Sequence, residues 1–271
     1  MSQTSPAGPL CKIKVQGRNL EVLRIPGDAH LPELVFLHEG LGSASHWRDF
    51  PALVAASTTC PVTVYSRYGS GDSDVLTEAR PVRYMHDEAL AALPELLSIL
   101  HIENPILIGH SDGASIAIIY AGAQDRLRGA VLLAPHVFVE ELSVRSIAEA
   151  KVSFESTDLA QRLGRYHRDP ARTLWGWINI WLNPDFRSWN IEEYLPRIVC
   201  PMLVIQGLDD QYGTMAQVEA IRKQSGGPVE VLKLENCRHS PQRDQPKATL
   251  PAITEFIKEK EIVPNKFVEQ K

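Results

Sequence analysis

Little in this chain points to an unusual environment. Cysteine is scarce, four in 271 residues: Cys11, Cys60, Cys200 and Cys237. None forms a C-x-x-C pair, and no histidine is spaced around them as zinc ligands are, so reduced and mostly buried thiols are expected. No run of about 18 apolar residues occurs, which leaves no candidate membrane span. No Lys/Arg block stands out and the net charge is −5, which argues against nucleic acid and anionic membranes as partners. The opening MSQTSPAGPLCK lacks the basic and apolar regions of a secretory signal, so a cytoplasmic location is expected. Internal repeats and low-complexity tracts are absent.

What is present is an alternation of short apolar runs and helical spacings. With 44% hydrophobic and 23% charged residues the composition is that of a globular protein, and a chain of this length forms a core without staples. Strands are predicted at 20–25, 34–38, 61–66, 105–110, 129–135, 201–207 and 229–235. Helices are predicted at 83–101, with a kink at Pro94, and at 115–124, 214–224 and 246–260. Short, wholly apolar strands separated by helices predict an α/β fold, a mostly parallel sheet with helices on both faces. In such sheets functional loops gather at the C-terminal ends of the strands.

Residues 136–199 break the alternation. They are helix-like and hold Trp175, Trp177, Trp181 and Trp189, four of the five tryptophans. An insertion there is expected to form a helical cap, with 13–135 and 200–260 as the core and with 1–12 and 261–271 as loose ends. Trp175, Trp177 and Trp181 are candidates to line a substrate pocket, together with His136 at the end of the 129–135 strand.

The segment PILIGHSDG, residues 105–113, carries the chemistry. An apolar strand ends in a serine between two glycines, and a helix follows. A serine hydroxyl is a weak nucleophile that must be presented to a base. A tight strand-to-helix turn presents it, and glycine at 109 and 113 avoids collisions across that turn. Of nine histidines, His239 lies in a loop after the last strand, where its imidazole can reach Ser111. His110 is expected to point away from the hydroxyl and pack in the core. His30, His46, His86, His101 and His167 are expected at the surface. An acid must orient the imidazole. Asp209 and Asp210 both follow the 201–207 strand, and Asp210 holds the place where similar turns carry the carboxylate. The oxyanion requires two N–H donors. One is the amide of Asp112. The other is Gly40 or Leu41 in the loop after 34–38, with Gly40 preferred, and His38 is expected to hold that loop in shape.

The pieces H-E-G-L-G-S, S-R-Y-G-S-G-D-S, G-H-S-D-G, G-L-D-D and C-R-H-S, in this order over about residues 20–260, resemble the α/β-hydrolase superfamily. The S-D-G elbow and L-P-R-I-V-C-P-M-L-V-I-Q-G are most similar to the valacyclovir-hydrolase-like branch. The resemblance implies an eight-stranded sheet and serine hydrolysis of a small-molecule ester or lactone, with no cofactor or metal and a monomer or homodimer as the working unit. Thioester, amide or C–C cleavage, a non-catalytic ligand receptor and a cofactor-free oxygenase are its alternatives. The chain departs from the pattern at Glu39, where most relatives carry glycine. Ser240 stands where C–C hydrolases carry tryptophan, and Ser111 where epoxide hydrolases and haloalkane dehalogenases need aspartate. The Asp112 carboxylate has two readings: favourable charge at a helix N-terminus, or attraction of a substrate amino group, as the branch would imply.

Overall fold

A computed structural model describes residues 10–124 and 126–261 of the chain. Eight strands form one sheet in the order β1-β2-β4-β3-β5-β6-β7-β8. They are β1 (Leu10–Val15), β2 (Arg18–Ile25), β3 (Leu34–Leu37), β4 (Val62–Tyr65), β5 (Ile106–His110), β6 (Gly129–Leu133), β7 (Met202–Gly207) and β8 (Val229–Leu234). β2 runs antiparallel to β1 and β4, and all pairings from β4 to β8 are parallel. This is the predicted α/β class.

One strand was not predicted. Residues 10–12, expected as a loose end, begin β1, whose outer positions are exposed because it is an edge strand. Its LCKIKV mixes lysine into the apolar alternation, the usual dress of an edge. β1 and β2 join through Gln16 and Gly17, both at positive φ (48° and 74°), which closes a two-residue hairpin. The other expected loose residues, 1–9 and 262–271, lie outside the described ones.

The central strands are apolar on both faces because helices cover both. Val35, Leu37, Leu107, Ala130 and Leu132 belong to one core, while Leu34, Phe36, Ile106, Ile108, Val131 and Leu133 belong to the other. Period-two alternation thus sorts each strand between two cores. Helix α1 (Phe50–Thr58) packs on the second face. The predicted helix 83–101 is not uniform: α2 (Tyr84–Asp87) passes through a π-helical turn, Glu88–Ala92, into α3 (Leu93–Ile99). Pro94 has no N–H to give, and its ring crowds the preceding turn, so the helix widens there.

Helix α4 (Asp112–Ala123) starts directly after β5 and is buried along nearly its whole length. Between β6 and β7 lie α5 (Glu141–Ser156), α6 (Leu159–Leu163) and α7 (Pro170–Trp181). No strand occurs there among the described residues, apart from one bridge between Phe138 and Asn190. Helices α8 (Met215–Gln224), α9 (Pro241–Asp244) and α10 (Pro246–Glu261) follow in the described residues. Among the described residues no helix is long and apolar enough to cross a membrane. Cys60, Cys200 and Cys237 are buried and Cys11 is exposed, and no disulfide joins any of them. Burial pushes the Cys200 thiol up to about 12 and that of Cys237 to about 11.

The tightest packing is where α4 meets β3. A Cβ on Gly113 would stand 2.0 Å from the Leu37 carbonyl oxygen, and one on Gly109 would stand 2.4 Å from that of Gly113. Gly113→Ala is expected to cost about 1–3 kcal/mol of stability, as overpacking does. A lower urea midpoint at unchanged slope checks it; an unchanged midpoint refutes the constraint.

Candidate active site

The parallel register brings four loops to one edge. Leu37 pairs with Gly109, His110 with Leu133, and Leu133 with Ile205. The loops after β3, β5, β6 and β7 therefore leave the sheet side by side. Ser111 occupies the turn between β5 and α4 with φ 53° and ψ −117°. Its N–H donates to the Leu133 carbonyl (2.9 Å), and its own carbonyl accepts from the N–H groups of Ala114 and Ser115.

Ser111, His239 and Asp210 meet in one hydrogen-bonded line. His239 Nε2 lies 2.9 Å from Ser111 Oγ, and His239 Nδ1 donates to the Asp210 carboxylate at 2.8 and 2.9 Å. The carboxylate also accepts from the N–H groups of Tyr212 and Gly213 and from Gln206 Nε2. Burial pushes its pKa up, but the charge and hydrogen bond of His239 and the Tyr212 N–H outweigh this and hold it at about 2. Asp209 is exposed and spends its N–H on the Cys237 carbonyl, so the ambiguity between the two aspartates resolves to Asp210 as the partner of His239.

The loop after β3 is tied down from behind. His38 Nδ1 donates to the Glu39 carbonyl (2.7 Å), and its Nε2 accepts from the Arg67 N–H (3.0 Å), which fixes one neutral tautomer. Burial, then Arg67, hold its pKa well below the usual value. Arg67 Nη2 donates to the carbonyls of His38 and Glu39, both at 3.0 Å. His167 Nε2 donates to the Leu41 carbonyl (3.0 Å). A trans peptide puts N–H and C=O on opposite sides, so with the Glu39 carbonyl turned to Arg67 the Gly40 N–H points away from it. The Cδ1–Nε1 edge of the Trp177 indole packs against Gly40: a Cβ there would stand 2.3 Å from both atoms.

A cavity of about 150 Å³ opens at Ser111 and His239. It is lined by Glu39, Gly40 and Leu41 from the loop after β3, by His136, Ser143, Ile147, Trp177 and Trp181 from the segment between β6 and β7, and by Tyr212. Burial, with His239 adding to it, lowers the pKa of His136 to about 4, so this ring stands in the cavity as a neutral donor or acceptor.

Several expectations need correction. Trp175 does not line the cavity; Lys151 lies 5.7 Å above its ring. Trp177 and Trp181 are four apart and share a helix face, whereas Trp175 lies about 200° around from Trp177. His110 does more than pack: its Nε2 donates to the His239 carbonyl (2.7 Å). Of the five histidines expected at the surface, His30 and His101 are exposed. His86 and His167 are buried, and His46 is half-buried beside Glu39. Sequence reasoning missed Glu39, Ser143, Ile147 and Tyr212. The helical spacing of Ser143 and Ile147 (i, i+4) was the available signal.

Asp112 follows the serine but its carboxylate is absent from the cavity wall. Tyr84 O–H donates to its Oδ2 (2.7 Å), and Arg67 lies 3.7 Å away. Trp181 Nε1 in turn donates to the Tyr84 oxygen (3.2 Å), which orients one cavity wall.

Residues 34–252 match the alpha/beta hydrolase family, and the chain belongs to that family. A comparison with curated proteins gives no match. Among solved structures, the fold is similar to that of a thermophilic esterase from Thermogutta terrifontis (19% identity, TM-score 0.69, covering 94% of this chain and 100% of that one). It is also similar to an enol-lactonase from Burkholderia xenovorans (18%, 0.72, 92% and 100%) and a proline iminopeptidase from Mycobacterium smegmatis (17%, 0.69, 93% and 99%). At these identities the likeness is one of fold.

The depressed Asp210 pKa carries a stability consequence. Its contribution is present above the unfolded value of 3.8 and is lost as pH falls through about 2. Between pH 5 and pH 2 the wild type is expected to lose about 2 kcal/mol more unfolding free energy than Asp210→Asn. Urea unfolding at both pH values measures this; equal losses would contradict the pairing.

Proposed function

We propose that this protein is a serine hydrolase that cleaves a carboxylic ester or lactone of a small molecule through an acyl-enzyme. The observation that carries the reading is the line Ser111 Oγ–His239–Asp210 at the mouth of the cavity. Ser111 Oγ attacks the carbonyl carbon as His239 Nε2 takes its proton. Asp210 holds the imidazolium at Nδ1. The tetrahedral oxyanion is received by the N–H of Asp112, which in the first turn of α4 has no intrahelical acceptor, and by the N–H of Gly40. The orientation of the Glu39 peptide favours Gly40 over Leu41. His239 then protonates the leaving oxygen. Water, deprotonated by His239, attacks the acyl carbon and releases the acid and Ser111. Two of the similar solved structures are named as an esterase and an enol-lactonase, which is the chemistry proposed here.

The segment 136–199 acts as a cap in this reading, because it supplies Trp177, Trp181, Ile147 and His136 to the cavity wall. The cavity, about 150 Å³, is smaller than the roughly 300–1,000 Å³ of drug-sized ligand sites. A short, neutral acyl group fits it best. The narrower likeness to the valacyclovir-hydrolase-like branch is not carried into amino-group recognition here, because Asp112 lies outside the cavity lining and its Oδ2 is engaged by Tyr84 and Arg67.

Ser111→Ala is expected to lower kcat/KM on a short-chain ester on the order of 10⁴-fold with the fold intact. Acetate esters are expected to outrun octanoate esters, and an amino-acid ester to match its des-amino analogue. Steady-state rates on this panel, with circular dichroism of the variant, check all three. A variant that keeps a tenth of the activity removes Ser111 as nucleophile.

A further inference from the structure

Glu39 stands where the resemblance leads one to expect glycine in most relatives, and no step of the acyl-transfer scheme uses its carboxylate. The side chain lies in the cavity wall, mostly covered. Its Oε1 is 3.0 Å from His46 Nδ1 and 3.8 Å from Arg243 Nη2, and its Oε2 is 3.4 Å from His110 Nδ1. Burial raises its pKa, but His110 and His46 pull it well below the usual carboxylate range.

Two of these three partners lead to the segment that carries the base. His110 Nε2 donates to the His239 carbonyl, and the two rings lie 5.3 Å apart. The tie to Glu39 uses an N–H at His110 Nδ1, and the Gln242 side-chain amide faces the same edge at 3.2 Å, where its otherwise unpartnered oxygen is the atom that suits that N–H. Arg243, in α9 just past His239, donates to the His46 carbonyl (2.8 Å), on the same loop as Glu39. The sheet itself does not set this distance. β3 and β8 are separated by β5, β6 and β7 in the strand order, so their loops share no ladder.

We infer that Glu39 is a positioning residue: through His110 and Arg243 its carboxylate clamps the loop that offers the Gly40 N–H to the loop that carries His239. The inference rests on the proposed roles of Gly40 and His239. A bare carboxylate beside an oxyanion would oppose its formation; here two imidazoles and a guanidinium surround it. Glycine at 39 can make none of these ties.

The test uses the full chain with Glu39→Gln, which keeps the shape and removes the charge, Glu39→Gly, and Arg243→Met, which cuts one tie at a third-exposed site. Turnover of 4-nitrophenyl acetate and hydrogen exchange by mass spectrometry are measured on each. Glu39→Gln and Glu39→Gly are expected to lower kcat at least ~10-fold with KM within about twofold, the pattern of a misplaced catalytic group. Arg243→Met is expected to shift kcat in the same direction by less. Exchange is expected to rise in both 38–47 and 237–244 while α4 keeps its protection. Wild-type kcat in both Glu39 variants overturns the clamp, and so does exchange that rises in 38–47 alone. Exchange needs no turnover: if both segments loosen in a protein that cleaves no ester, the clamp stands and the hydrolase reading falls.

Discussion

The turn at Ser111 constrains the rest of the site. A non-glycine residue at φ 53° and ψ −117° is strained by about 1–3 kcal/mol and persists only where its surroundings over-determine it. Here they do. Gly109 and Gly113 leave no space for a side chain, the Leu133 carbonyl takes the Ser111 N–H, and two amides of α4 close on the Ser111 carbonyl. The strained turn sets the Ser111 hydroxyl at the end of β5, directly before the first residue of α4. Around that point stand a loop from β3, residues of the β6–β7 segment, an aspartate after β7 and a histidine after β8.

Three carboxylates crowd this small region, and each is neutralised differently. Asp210 is held by His239 and two backbone N–H groups, which keeps it ionised over the pH range where a histidine works as a base. Asp112 meets Tyr84 and Arg67 at its Oδ2. Glu39 is enclosed by His46, His110 and Arg243. Arg67 serves two sites at once, since it also gathers the His38 and Glu39 carbonyls in the loop after β3. Truncating such a buried charge costs more than its contact suggests, because the partner is left unpaired.

The parallel core and the Ser111–His239 pair were legible because both rest on local signals, apolar strands and a glycine-bounded serine. Asp210 was preferred over Asp209 only by its place in a turn like others; what separates the two is which way the turn faces, and contacts with Gln206 and His239 set that. β1 was missed because an edge strand carries lysines where a central one carries valines. Trp175 was misassigned because composition marks a tryptophan-rich helix but only its phase says which rings face inward. His110, His167 and Glu39 were the least legible. Each acts through a partner more than 70 residues away in sequence, and single-residue context holds no trace of such a partner.

The most direct test of this account is covalent. Folded protein is treated with a fluorophosphonate, digested, and read by mass spectrometry. The account predicts one adduct, on the Ser111 hydroxyl, formed in wild type and greatly slowed in His239→Ala. Folded wild type that takes no label, or label at another residue with Ser111 untouched, would contradict it.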